Sequence, residues 1–117
     1  MKDEAFKELL TELAKSKLVK VTGSYADGTQ NECSDIDFYV KADNPEWRFL
    51  EQERNIVKVK KILDKFGIQM QSDMTGYWYS HKSDNNLPIE IEFSDLFQHR
   101  KNRLPEVEIM GVKFKTY

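Results

Sequence analysis

Cysteine is nearly absent from this chain: among its 117 residues only Cys33 carries a thiol. One cysteine can build neither an internal disulfide nor a cysteine-based zinc cluster, and such usage suits a reducing compartment. Cys33 is read as a bystander rather than a nucleophile. Long apolar runs are missing as well, with none approaching the roughly 18 residues that a membrane-spanning helix needs. The start, Met1-Lys2-Asp3-Glu4, is polar and acidic, unlike a signal or transit peptide, so a cytoplasmic protein with no membrane partner is expected. An excess of one charge is also lacking. A net charge of −2 gives no general attraction to nucleic acid, which favours a basic surface, and argues against a nucleic-acid partner. No repeat, linker or low-complexity segment is visible, and 39% hydrophobic with 32% charged residues is a globular balance. A single domain over 1–117 is expected.

What is present reads as helices and strands in alternation. From Lys2 to Lys15, Phe6, Leu9, Leu10 and Leu13 recur at helical spacing with charges between them, which predicts an amphipathic helix. Lys17 to Thr22 predicts a first strand that stops in a tight turn at Gly23-Ser24. Tyr25 to Ser34 is polar, with Asp27-Gly28 as a turn signal, and leads into a second strand, Asp35-Ile36-Asp37-Phe38-Tyr39-Val40. Asp43-Asn44-Pro45-Glu46 then reads as a helix start: Asn44 can cap free amides, Pro45 suits the first turn and Glu46 complements the dipole. The buried seam of that helix is Phe49, Ile56, Val59, Ile62, Leu63 and Phe66, with Lys58, Lys60, Lys61 and Lys65 mostly toward solvent and Gly67 as the C-terminal cap. Ile68 to His81, the turn cluster Ser83-Asp84-Asn85-Asn86 and the alternating Leu87 to Phe93 predict a β-hairpin. Two short strands, Val107-Glu108-Ile109 and Val112-Lys113-Phe114, are expected around Met110-Gly111.

The chemistry concentrates in carboxylates. A strand sends alternate side chains to opposite faces, so Asp35 and Asp37 project together while Ile36, Phe38 and Val40 enter the core. Adjacent like charges repel unless a cation neutralises them, and oxygen-only ligands favour Mg²⁺, with Mn²⁺ also fitting. Upstream, Gly23 would let a backbone pass close to a phosphate, and Ser24 offers a hydroxyl and an amide. Ile89-Glu90-Ile91-Glu92-Phe93 supplies two further acids on one strand face.

Gly23-Ser24, Gly28 and Ser34-Asp35-Ile36-Asp37, followed by apolar residues, resemble the signature of the nucleotidyltransferase superfamily typified by DNA polymerase beta. The likeness spans roughly Leu18 to Phe93, and within the superfamily the chain resembles the small aminoglycoside and lincosamide nucleotidyltransferases and the minimal nucleotidyltransferases paired with toxins. It implies an α+β fold: a mixed sheet with helices on one face and the active site on the other. It also implies that Gly23, Ser24 and Ser34 hold the nucleotide, and that Asp35, Asp37 and a third acid, Glu90 ahead of Glu92, bind two Mg²⁺ ions and are catalytic. A nucleoside triphosphate is then the donor, and a hydroxyl of a small molecule or a protein the acceptor. Many relatives carry Asp where this chain has Glu90, and a basic residue where it has Thr29. A non-catalytic nucleotide- or partner-binding module of the same fold is the competing reading. The antibiotic-modifying relatives often add a helical domain that walls the acceptor site, a wall that a homodimer could supply here. His81 and His99-Arg100-Lys101-Asn102-Arg103 are candidate phosphate contacts outside the catalytic set, while Tyr77, Trp78 and Tyr79 are read as core packing rather than a stacking platform.

Overall fold

Helix α1 (Asp3–Ser16) forms where the apolar spacing places it, with Phe6, Leu9, Leu10 and Leu13 fully buried. Asp3 and Glu4 in its first turn and Lys15 in its last complement the helix dipole. The structure, a computed structural model, describes residues 1–40, 46, 48–72, 77–80, 82–94 and 104–117. Lys17 ends α1 in the left-handed region, at φ 58°, and its N–H donates to Ala14 O. A left-handed residue cannot belong to a strand, so β1 (Val19–Thr22) begins later than the predicted Lys17.

The predicted tight turn at Gly23-Ser24 is instead the start of a short helix, α2 (Gly23–Asp27). Gly23, at φ +73°, reverses the chain directly from strand into helix, and Gly28, at φ +75°, closes it while the Thr29 N–H donates to Ser24 O at 3.0 Å. The polar reading of this stretch overlooked Ala26, which is completely buried and anchors α2. A turn follows in which Asn31 Oδ1 accepts from the Cys33 N–H at 2.8 Å and Ser34 Oγ accepts from the Asn31 N–H at 2.9 Å. It delivers the chain to β2 (Ile36–Val40).

Helix α3 (Arg48–Lys65) buries Ile56, Val59 and Leu63, with Ile62 packed partly against the same cluster. Gln52 is buried with them because its Nε2 donates to Val40 O at 3.2 Å and to the Tyr39 hydroxyl at 3.1 Å, tying the helix to the end of β2. The helix ends in a Schellman motif: the Ile68 N–H donates to Leu63 O, the Gly67 N–H donates to Asp64 O, and Ile68 packs into the core near Leu63. The predicted Asn44 and Pro45 start and the side chain of Phe49 lie outside the described residues.

Three further strands, β3 (Gln71–Ser72), β4 (Tyr77–Ser80) and β5 (Ile91–Ser94), complete a five-stranded sheet of order β1-β2-β5-β4-β3, in which only β2 and β5 run parallel. The predicted hairpin appears as the antiparallel β4–β5 pair, but its turn cluster is a short helix, α4 (Lys82–Asn85). The Leu87 N–H donates to Lys82 O and buries Leu87, which winds this connection into a helical turn. A separate hairpin, β6 (Glu106–Ile109) and β7 (Val112–Lys115), turns at Met110 and Gly111, both at positive φ as a type I′ turn requires. Its Val107, Ile109, Val112 and Phe114 join one hydrophobic cluster with α1, α3 and the inward residues of the sheet. Phe38 stacks on Phe93 and tilts against Phe114, each at 5.3 Å between ring centroids. The fold is thus α+β with a mixed sheet, as expected. No helix of the described residues is long and apolar enough to cross a membrane.

A Cβ on Gly67 would meet nothing within 4 Å, so its cost is purely conformational. Gly67→Ala is expected to destabilise by about 1 kcal/mol, and Leu63→Ala, which opens the core, by about 2–5 kcal/mol. Urea unfolding of both variants measures the difference.

Candidate functional site

The parallel β2–β5 register aligns Ile36 with Ile91, Asp37 with Glu92 and Phe38 with Phe93. Ile36, Phe38, Ile91 and Phe93 are completely buried, so the pleat sends Asp37 and Glu92 to the opposite face. One pleat earlier the Ile36 N–H donates to Glu90 O at 2.9 Å, which brings Asp35 beside Glu90 although Glu90 precedes β5. Four half-buried carboxylates therefore meet on the face away from the core, as two cross-strand pairs.

Their electrostatics show the strain. The Asp35 carboxyl is held above its ordinary range by burial, then by the Glu90 charge and a hydrogen bond with Glu90. Glu92 is pushed up to about 7, first by burial, then by a hydrogen bond with Asp37 and the charges of Asp37, Asp35 and Glu90. Without a cation the crowded acids accommodate one another by sharing protons, and each titration belongs to a pair rather than to one residue. Tyr25, on α2, is also raised, by burial and then by the Asp35 charge, which places its ring beside the acids. The sequence reading passed over it because it lay in a stretch taken as polar loop.

Gly23 presses against this face. A Cβ there would lie 2.0 Å from Asp37 Oδ2 and 2.9 Å from its Cγ, a distance no side chain can occupy. Ser24 follows in the first turn of α2. The Ser34 hydroxyl is engaged with Asn31, so its visible work is shaping the turn that leads into Asp35. Beside Asp37 and Glu92 lies a small cavity of about 140 Å³ that Thr22, Tyr77 and Ser94 also line. Thr22 Oγ1 is buried there without a hydrogen-bond partner. On the other flank a hollow of about 470 Å³ runs past Glu90, Lys82 and Ser83.

The aromatic trio divides as a strand demands. Trp78, opposite Phe93, packs against the core as predicted, whereas Tyr79 stands in register with Glu92, and Tyr77 lines the cavity on the acid face. Cys33 is exposed. His81 and the His99 to Arg103 cluster lie outside the described residues. Among the described residues no three acids, histidines or cysteines are arranged to hold a metal ion together. The donor set nevertheless suits a hard divalent cation, since it is all oxygen and its acids raise one another's titration.

A family model of the nucleotidyltransferase domain matches residues 3–71. The chain belongs to that family. The matched stretch runs from α1 into β3 and contains Gly23, Ser24, Ser34, Asp35 and Asp37, so the domain's nucleotidyl-transfer activity makes this chain a nucleotidyltransferase. Glu90 and Glu92 fall beyond the match, and their place beside the aspartates rests on the β2–β5 register. No curated protein matches the chain. No solved structure matches it.

The raised acids fix a direction for stability. An unfolded glutamate titrates near 4.5 and the folded Glu92 is pushed up to about 7, so between these values the folded nucleotidyltransferase binds more protons than the unfolded chain. Stability is then highest below the lower value and falls as pH rises through the window; Asp35 acts in the same direction. In chelator-treated buffer, urea midpoints are expected to drop from about pH 5 to about pH 8, and Glu92→Gln to flatten that drop. An unchanged slope in the variant would contradict the pairing.

Proposed function

We propose that this nucleotidyltransferase moves a nucleoside monophosphate from a nucleoside triphosphate to a hydroxyl of a small, antibiotic-like acceptor, with Mg²⁺ held by Asp35, Asp37 and Glu90, releasing pyrophosphate. The observation that carries this reading is the meeting of four half-buried, mutually repelling carboxylates on the face away from the core. Such an arrangement is costly in an empty fold and becomes favourable once divalent charge is present.

Bound Mg²⁺, as two ions or the chemically similar Mn²⁺, would neutralise phosphate charge and align the attacking and leaving oxygens. The remaining roles fall to the chain itself. Gly23, having no side chain, keeps the start of α2 close to Asp37, and Ser24 there offers its hydroxyl and amide to the triphosphate. Ser34 would act by holding the turn that delivers Asp35. An acid protonated near neutral pH can also exchange a proton with the acceptor hydroxyl, which suits the Asp37–Glu92 pair. For the third metal-binding acid, position in the sequence favours Glu90, which stands against Asp35, while Glu92 stands against Asp37.

Titration calorimetry of ATP and other triphosphates with Mg²⁺ is expected to show binding to the parent and its loss in Asp37→Ala; equal affinity in both would overturn the metal role. Pyrophosphate release from labelled triphosphates with aminoglycosides, lincosamides and cell extract tests turnover. Label on a protein in the extract would identify a protein acceptor instead, and silence in every arm would leave a binding module. Among Glu90→Gln and Glu92→Gln, the third ligand is the one whose loss costs about a hundredfold or more. Gly23→Ala should cost about tenfold or more in rate, because it displaces Asp37.

A further inference from the structure

Thr22 is the last residue of β1 and stands in register with Asp37. It is 3% exposed, and its Oγ1 is buried without a hydrogen-bond partner. The neighbouring carboxylate does not answer it, because Asp37 bonds instead with Glu92, on the strand to its other side. A hydroxyl taken out of water and left unpaired costs stability, and valine would fill the same strand position without that cost. No bond among the described residues accounts for a polar group here. The hydroxyl belongs instead to the wall of the cavity of about 140 Å³, whose other polar residues are Asp37, Tyr77, Glu92 and Ser94.

That volume holds several waters at about 30 Å³ each, yet falls below the roughly 300–1,000 Å³ of a pocket that encloses a whole drug-sized ligand. It suits one ring or branch of a larger substrate. The walls offer donors, in the hydroxyls of Thr22, Tyr77 and Ser94, and acceptors, in the carboxylates of Asp37 and Glu92. An alcohol both donates and accepts, so it answers both kinds of group. An ammonium has no acceptor to offer the Thr22 hydroxyl, and a phosphate would be repelled by the two acids. The chemistry that remains is that of a neutral polyol.

We propose that this cavity is a subsite for a sugar or alcohol hydroxyl, which accepts a hydrogen bond from Thr22 Oγ1 and donates one to the Asp37–Glu92 pair. Its place in the reaction rests on the nucleotidyl-transfer reading, under which the hydroxyl belongs either to the acceptor or to the ribose of the triphosphate. Thr22 is then a substrate-binding residue that selects for that hydroxyl.

Saturation-transfer NMR with ribose and with glycerol, in chelator-treated buffer without nucleotide, tests the subsite by itself. The parent is expected to bind both polyols, Thr22→Val to weaken them about tenfold, and Thr22→Ser, which keeps the hydroxyl, to retain the parent's affinity. Urea unfolding keeps a structural role apart: Thr22→Val should match or exceed the parent's midpoint, since the fold loses no bond. Added ATP with Mg²⁺ separates the two sources. Displacement of both polyols, together with a preference for ATP over 2′,3′-dideoxy-ATP that Thr22→Val erases, assigns the cavity to the ribose. Polyol signals that persist beside bound ATP assign it to the acceptor. A parent that binds polyol but no ATP would sink the nucleotide reading and uphold the subsite. Absence of polyol binding to the parent, equal binding by Thr22→Val, or a lowered midpoint in Thr22→Val would each overturn the proposal.

Discussion

The parallel hydrogen-bonded pairing of β2 with β5 is the constraint on which the site depends. It joins segments more than fifty residues apart in sequence, and its register alone decides which glutamate stands beside which aspartate. A slip of one residue would turn Glu90 and Glu92 into the core and bring Ile91 out to the acids. The Ile36 N–H to Glu90 O bond extends this pairing one step past the end of β5, so Asp35 and Glu90 are held by the same ladder that holds Asp37 and Glu92.

What keeps the ladder closed lies on the other side of the sheet. Directly behind the Asp37–Glu92 pair, Phe38 stacks on Phe93 and touches Phe114 from the second hairpin, and both inward isoleucines are completely buried. The core therefore opposes the repulsion of the acid face across the thickness of one strand pair. Stacked aromatic pairs contribute on the order of 1 kcal/mol beyond their burial, and the buried rings add the larger hydrophobic term. An acid cluster needs such backing, since its members repel one another across the strand pair.

Much of this was legible in the sequence because it is periodic. The helical stripe of α1, the alternation of Asp35 to Val40 and the glycine stop at Gly67 are local patterns, and the structure reproduces each. The elements that escaped are those in which a local pattern is too short or points elsewhere. Five residues of α2 make barely one turn, so Gly23-Ser24 read as a turn; the reason for glycine emerges only once Asp37 is found 2.0 Å from its absent Cβ. Gln52 is absent from the predicted seam because its partners on β2 lie more than ten residues away. The choice between Glu90 and Glu92 was open for the same reason, since strand pairing is non-local and no spacing within β5 encodes its register.

The buried face of α3 ties the helix to the strand that carries the site. Gln52, Ile56, Val59 and Leu63 fasten the helix to the core side of the sheet, and the Gln52 bond to Val40 fixes it to the strand that carries Asp37. The acids project from the opposite side. Among the described residues, Tyr25, Tyr77, Lys82 and Ser83 flank the acids. Two hollows flank the acid pairs, one beside Glu92 and one beside Glu90, so each pair is reached from its own flank of the sheet.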